Sequence, residues 1–157
     1  MQEGGQVKIV AAYKPSQLGD AVLDAATAEA LRRDADLVIA RHVKAERPSV
    51  SGPLALMDPS ADGSAGSGGA STTDKLRQDL DAVAAQLRTQ GVRCEAVLLA
   101  DADNHADAIL ALAHNAHADL LVVGIQRRTR VGKMVLRSEA QQLLLESDCP
   151  VLAVKSD

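Results

Sequence analysis

The last quarter of the chain limits the possible folds more than any other part. It runs from an apolar stretch, Asp119-Leu120-Leu121-Val122-Val123-Gly124, through a basic loop to Ser138-Glu139-Ala140-Gln141, and closes on Cys149-Pro150-Val151-Leu152-Ala153-Val154-Lys155. Two short apolar runs flank a segment that opens on a serine suited to a helix N-terminus, which predicts strand, phosphate-type loop, helix, strand. The same alternation is legible upstream. Val7 to Tyr13 is rich in strand formers and stops at Lys14-Pro15, where proline opposes continuation. From Leu18 to Arg33, Ala21, Leu23 or Ala25, Ala28 and Leu31 recur near helical spacing, while Asp20, Asp24 and Arg32 take other faces.

Leu37 to Val43 is a second, mostly apolar strand of the kind a parallel sheet buries on both faces. Leu76, Leu80, Val83 and Leu87 mark a second helix, with Gly91 placed to cap it. Val92 to Leu99 alternates in part, as a strand near an edge does, and Asp101 to Asn104 supplies caps for a helix carrying Ile109, Leu110 and Ala113. Five strands alternating with four helices predict an α/β fold, a doubly wound parallel sheet with right-handed crossovers and helices on both faces. Residues 1–157 are expected to form one domain. Its one interruption is a Gly/Ser-rich insert at about 46–72, too poor in large apolar residues to offset its ordering entropy and expected to be a mobile loop.

Composition narrows the function. The chain is 46% apolar, yet Tyr13 is its one aromatic residue, so Ala, Val, Leu and Ile must build the core and no platform exists for stacking bases. A formal charge of −4 gives no basic field to gather nucleic acid, and no apolar run approaches the roughly 20 residues that span a bilayer. Met1 to Gly5 lacks the basic start and apolar segment of a secretory signal, which points to the cytoplasm. Cys94 and Cys149 form no C-x-x-C pair and are expected to be buried, reduced thiols. His114 and His117, three apart on a helix, could hold a metal only if other ligands converged; the plainer reading is solvated histidines near a helix C-terminus. No G-x-S-x-G elbow, H-E-x-x-H pair or Walker loop is present, the scattered acids do not pair as acid and base, and the expectation is that the chain is not an enzyme.

Ala118 to Gly124, Val131-Gly132-Lys133, Ser138 to Leu145 and Cys149 to Lys155 together resemble the universal stress protein (UspA-like) family, and the likeness extends from Val7 to Lys155 apart from the insert. The resemblance implies a Rossmann-like sheet of order 3-2-1-4-5, with the loops after strands one and four facing each other at the reversal of strand order. That is where an open parallel sheet collects ligands. It also implies a nucleotide loop of pattern G-x-x-G, nine residues, G-[S/T]. Gly124 and Ser138 fit that pattern; Arg127 and Arg137 stand where glycines would let main-chain amides wrap a phosphate. The aspartate that anchors adenosine in such members is replaced by Lys14, a pure donor, and Pro15 removes a further amide. Val43, with Val123 beside Gly124, falls on the segments that line the nucleotide in such members.

The candidate site is therefore Lys14, Val43, Val123, Gly124, Arg127, Arg137 and Ser138. Its basic loop is either a solvated surface loop or a cationic clamp on ATP or another phosphate ligand. Ser138 is a helix cap within S-x-x-Q, which does not exclude ligand contact. The expected function is a non-catalytic stress-response module with a degenerate nucleotide loop and weakened ATP binding. The alternative is a nucleotide sensor or slow ATPase gripping phosphates through arginines. The resemblance also implies a homodimer through strand 151–155, against the plainer reading that this strand closes the sheet of a monomer.

Overall fold

The computed structural model describes residues 6–43, 72–100, 104–126, 129–130, 133–134 and 138–155, with 129–130, 133–134 and Ser138 described as backbone alone. Arg127, Arg137 and nearly all of the predicted mobile insert lie outside the described residues. In chain order the elements are β1 (Lys8–Ala12), α1 (Gln17–Arg33), β2 (Asp36–His42), α2 (Thr72–Thr89), β3 (Cys94–Leu99), α3 (His105–Asn115), β4 (Leu120–Ile125), β5 (Thr129–Arg130), β6 (Lys133–Met134), α4 (Ser138–Glu146) and β7 (Val151–Lys155). Five strands form one parallel sheet of order β3-β2-β1-β4-β7, which is 3-2-1-4-5 when only its own strands are counted. The β5–β6 hairpin, absent from the sequence expectation, is an antiparallel pair inside the basic loop. Thr72, at the edge of the predicted insert, is the first residue of α2.

Alternation along each strand divides the core into two layers. Ile9, Ala11, Leu37, Ile39, Leu120 and Val122 pack under α1 and α2, while Val10, Val38, Ala40, Leu121 and Val123 pack under α3 and α4. Ile9, Val10, Ala11, Ile39, Leu121 and Val122 are completely excluded from solvent. With Tyr13 as the one aromatic in the core, helices sit close to the sheet through small residues such as Ala26 and Ala30 of α1 and Ala106 of α3.

The predicted inward face of α1 is corrected. Gly19, Val22, Leu23, Ala26, Thr27 and Ala30 are buried, whereas Ala28 is exposed and Leu31 is 53% exposed. Alanines lie on every side of this helix, so the apolar pattern does not single out a stripe; two large residues, Val22 and Leu23, fix the rotation by filling the core. Cys149 is only half-buried, against the expectation of two buried thiols, while Cys94 is buried.

Three helices end the same way. Ala35 donates to Ala30 O, Val92 to Leu87 O and Ala118 to Ala113 O, closing 6→1 bonds around Asp34, Gly91 and His117, whose φ values are 52°, 92° and 53°. This is the left-handed C-terminal cap, and two non-glycine residues adopt it here. Asn104 caps α3 as expected, its Oδ1 accepting from Ala106 N at 2.9 Å. The sheet's two edges are β3 and β7, the latter half-exposed along most of its length.

Candidate functional site

The crossover from β1 runs to one side of the sheet and that from β4 to the other, and the cleft between their tips is the switch point of an open parallel sheet. Ala12, Lys14, Val123, Gly124 and Gln126 line it from the strand ends, Leu18, Gly19 and Val22 from α1, and His105, Glu139 and Leu143 from α3 and α4. The cleft, open to solvent on one side, holds about 110 Å³ among these residues.

The turn after β1 is held rigidly. Ser16 caps α1, its Oγ accepting from Gly19 N at 2.9 Å and donating to the Lys14 carbonyl at 3.2 Å. Tyr13 N donates to Ala40 O at 2.9 Å, anchoring the end of β1 to β2. The Lys14 side chain leaves this turn toward α4, where Nζ lies 4.0 Å from Glu139 Oε2. With the two side chains 56% and 45% exposed, the pair is weak and either partner can be exchanged for a ligand at little cost.

Gly124 lines the cleft, but its missing side chain has another cause. It shares the α1 face of β4 with Leu120 and Val122, and a β-carbon there would sit 2.7 Å from Leu18 Cγ and 3.1 Å from Val22 Cγ2. Close packing of α1 already requires glycine at this position. Val123 points to the opposite layer, as the strand's alternation demands.

Val43 is not brought into the cleft. Its N–H donates to Leu99 O at 2.8 Å, which continues the β2–β3 ladder by one residue. Ser138 is the first residue of α4, so the helix begins one position earlier than a capping serine would place it. Lys14, Val123 and Gly124 come together; Val43 does not; Arg127, Arg137 and the Ser138 side chain lie outside the described residues.

His105, at the first position of α3, belongs to no motif that would single it out from sequence. Its Nδ1 is buried and has no hydrogen-bond partner among the described residues, and its ring packs against His42 with centroids 5.8 Å apart at 59°. Burial, with Lys14 and His42 adding to it and Glu139 opposing, pulls its pKa down to about 4, so the imidazole is neutral at physiological pH. Its one sequence signal is topological: α3 follows β3 directly, so its N-terminus must lie at the same sheet edge as the tips of β1 and β4.

Of the histidines further along, His114 lies on α3 and His117 just past its end. His114 Nδ1 lies 2.8 Å from Asp148 Oδ2, and His117 forms the left-handed cap of the helix. Among the described residues no three metal-ligating side chains converge, and no helix is long and apolar enough to cross a membrane.

Comparison with known proteins agrees with the geometry. The Universal stress protein family model matches residues 7–155. A universal stress protein of Mycolicibacterium smegmatis is 51% identical over 49 residues, 31% of this chain and 38% of that protein. A Thermus aquaticus protein described as a universal stress protein in the QAH/OAS sulfhydrylase 3′ region is 35% identical over 77 residues, 43% of this chain and 56% of its own length. The chain thus matches well under two thirds of either curated relative. Among solved structures, a universal stress protein from Archaeoglobus fulgidus superposes with a TM-score of 0.67 at 22% identity, covering 95% of this chain and 93% of that one. The universal stress protein from Archaeoglobus fulgidus in complex with dAMP gives 0.63 at 20%, covering 96% and 98%. These likenesses establish the shared architecture, and the family match runs through both core layers and the cleft between them: the chain belongs to the universal stress protein family.

Proposed function

We propose that this chain is a non-catalytic stress-response module, one domain long and acting in the cytoplasm, whose switch-point cleft has lost most of its hold on ATP. The observation that carries this reading is Lys14. At the tip of β1 the cleft presents an ammonium turned to Glu139, where a nucleoside-anchoring member would present a carboxylate. A lysine cannot accept the hydroxyl protons of a ribose, so the sugar end of a nucleotide loses its partner. No nucleophile with a base at hydrogen-bonding distance lines the described cleft, which supports a ligand-responsive module without turnover.

The half-exposed β7 edge supports a two-fold dimer in which two copies pair along residues 151–155, with Leu145, 83% exposed on the neighbouring helix, covered in the same contact. Analytical sedimentation of the intact chain reports the mass directly, and a monomer at tens of micromolar removes the dimer from the reading.

A second reading keeps ATP as the ligand, with Arg127, Arg137 and Lys14 gripping phosphates; the dAMP complex of a structural neighbour favours it. Calorimetric titration of Mg-ATP into the wild type and into Lys14→Asp/Arg127→Gly/Arg137→Gly separates the two. The first reading expects the triple variant to bind more tightly than the wild type. Weaker binding by the triple variant means that the cations were the clamp.

A further inference from the structure

A second concavity lies between α3 and α4 and shares no lining residue with the switch-point cleft. One face of α3 supplies its long wall: Asp107, Leu110, Ala111 and His114 follow the i, i+3, i+4, i+7 spacing that brings side chains onto a single stripe. The end of α4 and the turn before β7 supply the other wall through Glu146, Asp148 and Cys149. Two polar links join the walls: Gln142 Nε2 donates to Asp107 Oδ1 near one end, and His114 Nδ1 lies 2.8 Å from Asp148 Oδ2 near the other. The groove, open to solvent along its length, holds about 680 Å³.

Charge and apolar surface alternate along this groove. Asp107 lies toward one end and Asp148 toward the other, with half-buried Leu110 and exposed Ala111 between them. From Asp107 to His114, the partner of Asp148, the helix advances by about 10 Å. Asp107, Glu146 and Asp148 all line the groove, and no lysine or arginine is among its described lining residues. A complementary occupant therefore carries positive charge at both ends and apolar surface in the middle. Backbone accounting selects its conformation. Neither edge strand contributes a lining residue, so an extended peptide would find no ladder for its main-chain N–H and C=O groups, whereas a helix satisfies its own. We propose that this groove is the docking site for an amphipathic helix of a partner protein, one with lysine or arginine flanking its apolar stripe about two turns apart. The site does not depend on whether the switch-point cleft binds a nucleotide.

The probe is a stapled helical peptide of about 15 residues carrying Lys-x-x-Leu-Ala-x-x-Lys on one face, because short unconstrained helices are marginal in water. Its control has glutamate in place of both lysines. By fluorescence anisotropy at physiological salt, the intact chain should bind the lysine peptide at least about tenfold more tightly than the control, since like charges set against each other across an interface are strongly penalised. Asp107→Lys/Glu146→Lys should invert that preference, and its binding of the glutamate peptide shows that the variant is folded. Cys149 lines the groove and is half-buried, so saturating lysine peptide should slow its alkylation, and the glutamate peptide should not. Equal affinity for the two peptides, binding that leaves Cys149 unprotected, or no binding of either by the wild type overturns the proposal. Spermidine that binds more tightly than the lysine peptide and displaces it makes the occupant a free polyamine. An oligomer that dissociates on Leu110→Lys makes it a second copy. Either result overturns the partner helix.

Discussion

Replacing Gly19 with alanine isolates the geometry that fixes Lys14. In a helix interior the change normally favours alanine by about 0.8–1.0 kcal/mol. Here the added β-carbon would fall 1.7 Å from the Lys14 carbonyl oxygen, 2.9 Å from its carbonyl carbon and 3.2 Å from Tyr13 Cε1. Carbon and oxygen rarely approach within about 3.3 Å even in favourable C–H···O contacts, so the turn must move by about 1.5 Å. The obstacle is main chain, held by the Ser16 hydroxyl and by the Tyr13–Ala40 hydrogen bond, and has no rotamer into which to retreat. Overpacking of this kind costs typically about 1–3 kcal/mol, and a rigid obstacle places it at the upper end. Subtracting the propensity gain leaves about 2 kcal/mol of net destabilisation. For a chain of 157 residues each kcal/mol moves Tm by about 2–4 °C, so the variant should melt about 4–8 °C below wild type in calorimetry or circular dichroism. A Tm equal to or above that of wild type would refute the reasoning, because propensity alone would then govern the site.

Four further outcomes follow from the same packing. Gly91→Ala adds a β-carbon that meets nothing within 4 Å but must adopt φ 92°, so it should cost about 1–2 kcal/mol in urea unfolding through backbone strain alone. Glu139→Gln removes a negative charge 4.0 Å from Lys14; an exposed pair of this kind is worth about 0.2–1 kcal/mol, so the variant should melt within about 4 °C of wild type, and a larger loss would show that the pair anchors the cleft. Burial raises the Cys94 thiol to about 11, so native-state alkylation at mildly alkaline pH should label half-buried Cys149 first, and equal rates would contradict the packing of β3 against α2. His105 binds its proton near 4 when folded and near 6.5 when unfolded, so the unfolded state holds more protons between those values. Its contribution to stability is complete above about 6.5 and lost as pH falls toward 4; His105→Gln should flatten that part of the pH profile of chemical denaturation.

The alternation of elements is legible because helices and strands announce themselves by different spacings, and strands joined by helices leave few topologies open. Gly91 as a helix end, Asn104 as a cap and β3 as an edge strand follow from the residues themselves; the order of the strands comes with the family resemblance, because spacing alone does not say which strands are neighbours. The face of α1 is not legible, because its alanines suit either layer and only Val22 and Leu23 break the tie. Sequence reasoning gives Gly124 to ligand approach, although strand parity places it with Leu120 and Val122 under α1, where Leu18 fills the space that a side chain would need. His105 is invisible in sequence because it reads as an ordinary first-turn residue. Its chemistry arises from Lys14, His42 and Glu139, which are distant in sequence and meet only once the sheet is assembled.

Native mass spectrometry of the protein purified without added ligand tests the central claim most directly. A cleft whose β1 tip carries Lys14 turned to Glu139 should leave the cell without an adenine nucleotide, and the observed mass should be a whole multiple of the polypeptide mass. One adenine nucleotide per chain, retained through purification and lost on Lys14→Met, would contradict it.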